Sequence, residues 1–146
     1  MNSYLEKFEK MRIAGRLAAE TLDMLTDNIK PGVTTEFIDK LGYEFIRDNG
    51  AYSAPLFYRG FKKSLCTSLN HVVCHGIPSD RVLNEGDALN VDVTAIIDEH
   101  YGDTSRMFCV GKTPVKVNNL IDATYESMMR AIKLLKPGLR LGDIGH

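Results

Sequence analysis

The chain has 146 residues, of which 44% are hydrophobic and 25% are charged, and its formal net charge at pH 7 is -1. This composition is typical of a soluble globular domain that buries a core, and it argues against disorder. The near-neutral charge offers no basic surface to nucleic acid or anionic lipid, and the charged first ten residues contain no apolar run of signal-peptide or membrane-span length. We therefore expect a cytoplasmic protein with neither nucleic acid nor membrane as a partner.

The three cysteines are Cys66, Cys74 and Cys109. An odd number without CxxC spacing predicts neither a disulfide framework nor a structural zinc site. We expect all three to be reduced thiols.

Two helices are predicted before residue 50. Apolar residues recur at helical spacing over residues 4–29, and Lys30-Pro31-Gly32 ends that pattern. A second helix is predicted to begin with Thr34 as its N-cap and to end at residues 48–50. Its predicted inner face contains Phe37, Ile38 and Leu41.

The pattern then changes from helical to alternating. Strands are predicted at residues 64–69, 72–74, 88–97 and 101–110, separated by clusters of Gly, Pro, Asn and Asp. The order of the elements indicates an α+β fold, in which an antiparallel sheet carries helices on one side.

A further helix, predicted to begin near residue 118, again runs into Lys136-Pro137-Gly138. A shift of 106 residues superimposes this segment on Lys30-Pro31-Gly32, which indicates an internal repeat. The alternative is coincidence, because Lys-Pro-Gly is an ordinary way to end a helix. If the repeat is real, a second copy has begun when the chain reaches His146, which would lie in a starting helix.

Two acidic residues are predicted to converge in the hairpin formed by residues 88–110. The odd positions from 89 to 97 are apolar, which leaves Asp92 on the polar face of its strand. If Asp98-Glu99 forms a two-residue loop, Asp103 lies opposite Thr94 and diagonal to Asp92 on that same face. A three-residue loop would send Asp103 to the other face unless a bulge restored the register.

Neighbouring carboxylates repel, so such a pair persists with a cation between them, with one group protonated, or with both groups hydrated. Hydration is the ordinary case for surface Asp. The small and hydroxyl residues Gly102, Thr104 and Ser105 around the second acid favour a binding site instead. Oxygen ligands of this kind suit manganese, iron(II), cobalt or magnesium.

Other residues are candidates only in context. His75 follows an apolar run and precedes a Gly/Pro turn, which suits either a cleft residue or a structural histidine. His71 and His100 fit the structural interpretation. Tyr58, Phe61 and Cys66 are most simply core side chains.

Five co-linear segments of the chain together resemble the type I methionine aminopeptidases of peptidase family M24A. The segments are Met11-Arg12-Ile13-Ala14-Gly15-Arg16, Lys30-Pro31-Gly32-Val33-Thr34-Thr35, Cys74-His75-Gly76-Ile77-Pro78, Asn90-Val91-Asp92-Val93-Thr94 and Gly102-Asp103-Thr104-Ser105. The resemblance covers essentially the whole chain.

The resemblance implies the pita-bread fold, in which two related α+β halves have helices on the outer face of the sheet. By this resemblance the chain is a single catalytic domain over residues 1–146 that is incomplete at its C-terminus. The first half would span about 1–115 and the start of the second about 116–146. The family's five metal ligands would be represented here by Asp92 and Asp103, with the other three after His146.

The implied activity is metal-dependent removal of the initiator methionine from nascent proteins whose second residue is small. Two divalent ions, such as manganese, iron(II) or cobalt, would be the cofactors, and a monomer acting on nascent N-termini, near the ribosome, is implied. His75 matches the histidine that contacts the scissile peptide, and Tyr58, Phe61, Cys66 and Pro55 match the methionine pocket. Pro55 departs from the cysteine that related bacterial enzymes often have, which leaves the fine specificity open.

Two other functions remain as alternatives. One is an inactive pita-bread binding module, and the other is a peptidase of the aminopeptidase P or prolidase type. We also expect the 146-residue chain alone to be inactive, because two of five ligands cannot hold a two-metal cluster.

Overall fold

The structure, a computed structural model, describes residues 3–56 and 58–145. The chain divides into two compact units, Met1–Lys112 and Thr113–His146. In the described residues, the first unit contains two α-helices, a short 3-10 helix at Tyr58–Gly60 and the whole sheet, and the second unit is helical. His146, which the sequence places in a starting helix, lies outside the described residues.

Helix α1 spans Ser3–Thr26 and covers the sheet with one apolar stripe. The stripe follows the helical repeat and consists of the buried residues Ala14, Leu17, Ala18, Leu22 and Leu25. The helix ends three residues before the predicted position 29, in a turn in which the N–H of Asn28 donates to the carbonyl of Leu25 at 2.9 Å. Ile29 is nevertheless buried with the core, so the apolar pattern continues beyond the helix.

Helix α2 spans Thr35–Asp48 and begins as predicted. The hydroxyl of Thr34, the N-cap, accepts a hydrogen bond from the N–H of Phe37 at 3.2 Å. Ile38 is fully buried, but the predicted inner position of Phe37 is wrong, since this side chain is 42% exposed. One residue is a 100° rotation around a helix, so adjacent apolar residues cannot both face the centre of the core.

Within the described residues, four strands form one antiparallel sheet: β1 (Tyr52–Ser53), β2 (Cys66–Leu69), β3 (Ala88–Ile97) and β4 (His100–Cys109). Strand β4 pairs with β3 along its whole length. Strands β1 and β2 pair with different parts of β3, at 95–96 and 89–92, and therefore lie one after the other on its second edge. The two-residue strand β1 was not predicted.

The two faces of β3 differ sharply. Leu89, Val91, Val93 and Ala95 are fully buried in the core cluster, which also contains the stripe of α1 and Ile38 of α2. The alternate residues lie on the opposite, polar face, which puts Asn90, Asp92 and Thr94 together.

Helix α1 and strand β4 approach each other most closely at Gly102. A Cβ atom at this position would lie 2.1 Å from the backbone carbon of Ala14 and 2.3 Å from the backbone nitrogen of Gly15. No side chain fits there, so the helix backbone rests directly on the strand, one residue before Asp103.

The strand predicted at residues 72–74 is wrong. This stretch has no regular secondary structure, and Val73 is 94% exposed. A turn follows β2 at once, because Asn70 adopts a positive φ of 54° and the N–H of Val72 donates to the carbonyl of Leu69. The β-branched residues Val72 and Val73 have high β-propensity, but they have no partner strand with which to pair.

The second unit consists of α3 (Val115–Leu134) and α4 (Leu141–Gly145). Its local geometry repeats that of the first unit. Gly32 and Gly138 have φ angles of 90° and 94°, and a helix begins three residues after each, at Thr35 and at Leu141. These features support the internal repeat, while the exact division of the chain near residue 115 stays a prediction.

None of the helices in the described part of the chain combines the length and the apolar character needed to cross a bilayer.

Candidate active site

The β3–β4 hairpin brings the two candidate acids to one face of the sheet. Asp98 and Glu99 form the two-residue loop, with positive φ angles of 48° and 63°, as a tight hairpin turn requires. Thr94 pairs with Asp103, and Asp92 pairs with Ser105. The predicted register is therefore confirmed, and Asp92 and Asp103 are diagonal neighbours on the polar face.

The two carboxyl groups interact. Partial burial is the main cause that raises the pKa of Asp92, and the charge of Asp103 and a side-chain hydrogen bond between the two acids raise it further. His75 acts in the opposite direction and lowers the pKa of Asp92. A pair of acids within hydrogen-bonding reach, one of them partly buried, is a place where a cation would relieve the repulsion.

Strand β2 adds Cys66 to the same face, because Cys66 is the direct partner of Asp92 in the ladder. The thiol is buried and free of any disulfide. Burial raises its pKa to about 11, and the charge of Asp92 adds to the effect. Cys66 is therefore a neutral thiol at physiological pH and suits a pocket wall better than a nucleophile.

His75 lies in the loop that follows β2 and is held beside that strand by its neighbour Gly76. The N–H of Thr67 donates to the carbonyl of Gly76 at 2.8 Å, and the N–H of Gly76 donates to the hydroxyl of Ser68 at 3.1 Å. A Cβ at Gly76 would lie 2.2 Å from the carbonyl oxygen of Thr67, so only glycine permits this approach. His75 itself is exposed and has a positive φ of 54°.

The other candidate residues lie on the segment that joins β1 to β2. Tyr58 is 63% exposed, so a core position for it is wrong, whereas Phe61 and Pro55 are half-buried. Backbone hydrogen bonds from Tyr58 to Pro55 and from Phe61 to Tyr58 fold the segment into successive turns. Within the described residues, no hydrogen bond joins these three to Asp92 or Asp103.

The chain matches the model of a known protein family. The model of metallopeptidase family M24 matches residues 9–146. The chain belongs to this family.

The chain is similar to several proteins that are named methionine aminopeptidase. The chain is 56% identical over 139 residues to a methionine aminopeptidase from Rickettsia prowazekii, covering 95% of the chain and 54% of the relative. The crystal structure of methionine aminopeptidase from the same organism has a TM-score of 0.94, and the match covers 96% of this chain and 56% of that one. The corresponding structure from Thermotoga maritima, at 37% identity, has a TM-score of 0.93 and covers 97% of this chain and 57% of that one.

The chain thus spans about half the length of the methionine aminopeptidases that it matches. A structure of aminopeptidase P from Escherichia coli is also similar, with a TM-score of 0.84 over 96% of this chain and 31% of that one, but at 19% identity. That similarity shows the shared pita-bread fold and nothing about the substrate.

Membership of family M24 implies divalent metal ions, and the donor set fits them in part. Asp92 and Asp103 supply hard oxygen ligands from one face of a rigid hairpin. No group of three or more His, Cys, Asp or Glu side chains that could hold a metal exists within residues 3–56 and 58–145. Two carboxylates are a fraction of a metal centre, so an M24 site needs further ligands.

Asp39 is a buried polar residue beside the site that the sequence analysis did not identify. It lies on α2, is 8% exposed, and accepts three hydrogen bonds from the residues just before Cys66. A signal was available, since an Asp next to the inner residue Ile38 of an amphipathic helix must find partners when it is buried. His100 is structural, as expected, with its Nδ1 at 2.6 Å from the carbonyl oxygen of Asp98.

Proposed function

We propose that this chain forms the first half of the active site of a metal-dependent methionine aminopeptidase, a hydrolase that removes the N-terminal methionine of proteins. The observation that carries the proposal is the hairpin register, which brings Asp92 and Asp103 together on one polar face. Relatives at 49% and 56% identity that are named methionine aminopeptidase indicate the type of reaction.

Asp92 and Asp103 are the proposed metal ligands, and their carboxylates would hold the divalent ions. Their supporting feature is the effect of one acid on the other, since Asp103 raises the pKa of Asp92 and a bound cation would reverse that effect. Manganese, iron(II) and cobalt are the candidate ions. When bound, two such ions supply Lewis-acid activation of the scissile carbonyl and of water.

His75 is the proposed partner of the scissile peptide. Its loop is fixed to β2 through Gly76, while its own side chain is exposed and near enough to Asp92 to affect the pKa of that acid. An imidazole in this position can donate a hydrogen bond to the oxygen on which negative charge develops during peptide hydrolysis.

Cys66, Tyr58, Phe61 and Pro55 are the proposed wall of the methionine pocket. Cys66 lies next to Asp92 and is neutral, and a soft, weakly polar thiol suits contact with a thioether side chain. Two aromatic rings and a proline supply the apolar remainder.

The proposed substrates are nascent chains that carry the initiator methionine before a small second residue. The enzyme is proposed to act as a monomer in the cytoplasm, close to the ribosome. In the proposed organisation, residues 1–115 form the first half of the catalytic domain, and the second begins at about residue 116.

The test is methionine release by the protein expressed from its complete natural reading frame. The substrate is a Met-Ala-Ser peptide, with manganese, iron(II) or cobalt added after chelation. We expect release that requires metal and that falls by at least about 100-fold in Asp103→Asn, since even residues that only support metal ligands contribute 10–100-fold.

The matched control is Asp98→Asn in the same hairpin. Asp98 is exposed at a positive φ of 48°, a conformation that asparagine adopts readily, so activity should stay unchanged. If no methionine is released with any of the metals, the proposed aminopeptidase activity is refuted and an inactive binding module is favoured. Preferential cleavage before proline would instead favour an aminopeptidase P or prolidase.

The chain of 146 residues, expressed alone, should show no metal-dependent release. Two carboxylates cannot hold a two-metal cluster, and the described residues add no third ligand. Methionine release by this chain at the level of the complete protein would overturn the proposed division of ligands.

A further inference from the structure

Asp39 ties helix α2 to the residues immediately before β2. Its carboxylate oxygen Oδ1 accepts hydrogen bonds from the N–H of Ser64 at 2.8 Å, from the hydroxyl of Ser64 at 2.7 Å and from the N–H of Leu65 at 2.8 Å. The backbone carbonyl oxygen of Asp39, at 3.1 Å, is a second acceptor for the same hydroxyl proton of Ser64. A buried carboxylate with charge-assisted bonds to two consecutive residues fixes their backbone on the helix.

A second contact sets the position of the same residues along α2. The Leu65 side chain is fully buried over Gly42, where a Cβ atom would lie 2.5 Å from its Cδ1. Asp39 and Gly42 are three residues apart and therefore lie on the same face of the helix. An ion pair between Glu36 and Lys63 continues this line of contacts toward the start of the helix.

This attachment holds the C-terminal end of the 54–65 segment, whose described residues are 54–56 and 58–65. At the other end, the N–H of Ala54 donates to the carbonyl of Thr94 in β3 at 2.9 Å. Between these ends the described residues, among them Pro55, Tyr58 and Phe61, form short-range turns. Directly after the Asp39 contact comes Cys66, the ladder partner of Asp92.

We propose that Asp39 is a positioning residue that fixes the 54–65 segment relative to Asp92 and thereby sets the affinity and selectivity for the substrate methionine side chain. This inference rests on the proposed function for its substrate. It does not involve Asp39 in the chemistry, because Asp39 is buried on α2 and its carboxylate is occupied by Ser64 and Leu65.

The structural test is hydrogen exchange measured by mass spectrometry on the protein from the complete reading frame. In Asp39→Asn, the amides of residues 58–66 should exchange about tenfold faster or more, since two of them lose a charged acceptor. The amides of β3 should keep the rate of the parental protein. Equal acceleration in β3 would mean general destabilisation and would contradict the positioning role.

The functional test is steady-state cleavage of Met-Ala-Ser and Leu-Ala-Ser peptides. Asp39→Asn should raise KM for the methionine peptide by about tenfold with little change in kcat, and lower the preference for methionine over leucine. A merely structural role would instead reduce the folded fraction, which lowers the apparent kcat and leaves KM and the preference unchanged. That second pattern would overturn the inference.

Two further variants keep the test decisive. Ser64→Ala removes only the hydroxyl donor and should shift KM and exchange in the same direction by a smaller factor, even if Asp39→Asn fails to fold. Asp48→Asn, at the exposed end of the same helix, should change neither. A parental protein without methionine release overturns the proposed function and the pocket assignment together, whereas an active parent with an unaffected Asp39→Asn overturns this inference alone.

Discussion

Replacement of Gly102 by alanine should separate helix α1 from strand β4. The new Cβ would lie 2.1 Å and 2.2 Å from the carbonyl carbon and oxygen of Ala14, and 2.3 Å from the nitrogen of Gly15. Ordinary contacts between such atoms are about 3.5–4.0 Å, so the two backbones must move apart by roughly an ångström or more. Backbone atoms cannot rotate out of the way as a side chain does.

The expected loss of stability follows from this overlap. Overpacking in a core costs about 1–3 kcal/mol, and contact with a helix backbone belongs at the upper end of that range. Alanine recovers about 0.4–1 kcal/mol by restricting the unfolded chain. We expect Gly102→Ala to lower the free energy of unfolding by about 2 kcal/mol, measured by urea denaturation of the complete protein with far-UV circular dichroism.

Gly15→Ala supplies the control from the other side of the same contact. A Cβ at Gly15 meets no atom within 4 Å, and the residue lies in the interior of α1. This variant should gain up to about 1 kcal/mol from helix propensity. A Gly102→Ala protein as stable as the parent would refute the conclusion that the helix backbone rests on the strand.

Three other predictions follow from the described contacts. Thr34→Ala removes the acceptor for the N–H of Phe37 and should lower the free energy of unfolding in urea by about 1 kcal/mol; no loss would mean that water replaces the cap. The pKa of Cys66 rises from 9.0 to about 11 on folding, so the folded protein holds this proton more tightly than the unfolded chain does. The free energy of unfolding should therefore fall as the pH rises from 9 to 11, and a Cys66→Ala variant should lack that fall. In chelator at pH 7, Asp103→Asn should raise the free energy of unfolding by a few tenths to about 1 kcal/mol, because it removes the repulsion on Asp92, and an unchanged or lower value would contradict the described pairing of the acids.

The acid pair was predictable because its geometry is local. Strict alternation along β3 fixed the face of Asp92, and a two-residue loop at Asp98-Glu99 then fixed the face of Asp103. Likewise Thr34 was identifiable as an N-cap from the residues next to it.

The predictions that were wrong concern features that depend on contacts between residues far apart in the sequence. Val72 and Val73 have high strand propensity but no partner strand. The chain turns at Asn70, directly after β2, and so leaves the sheet before it reaches them. Phe37 is apolar, but its direction depends on which stripe of α2 meets the sheet. The contact between Gly102 and Ala14 joins residues far apart in sequence, and no sequence pattern around either residue predicts it.

The position of the core along the chain has a consequence for folding during synthesis. Every residue of the described core cluster lies between Leu17 and Val110, within the first unit. Ribosomes add about 5–20 residues per second, which is slower than the millisecond to second folding of small mixed domains. We therefore expect the sheet and its two helices to form as soon as residue 110 has left the exit tunnel, so that the hairpin with both acids exists before later residues are available.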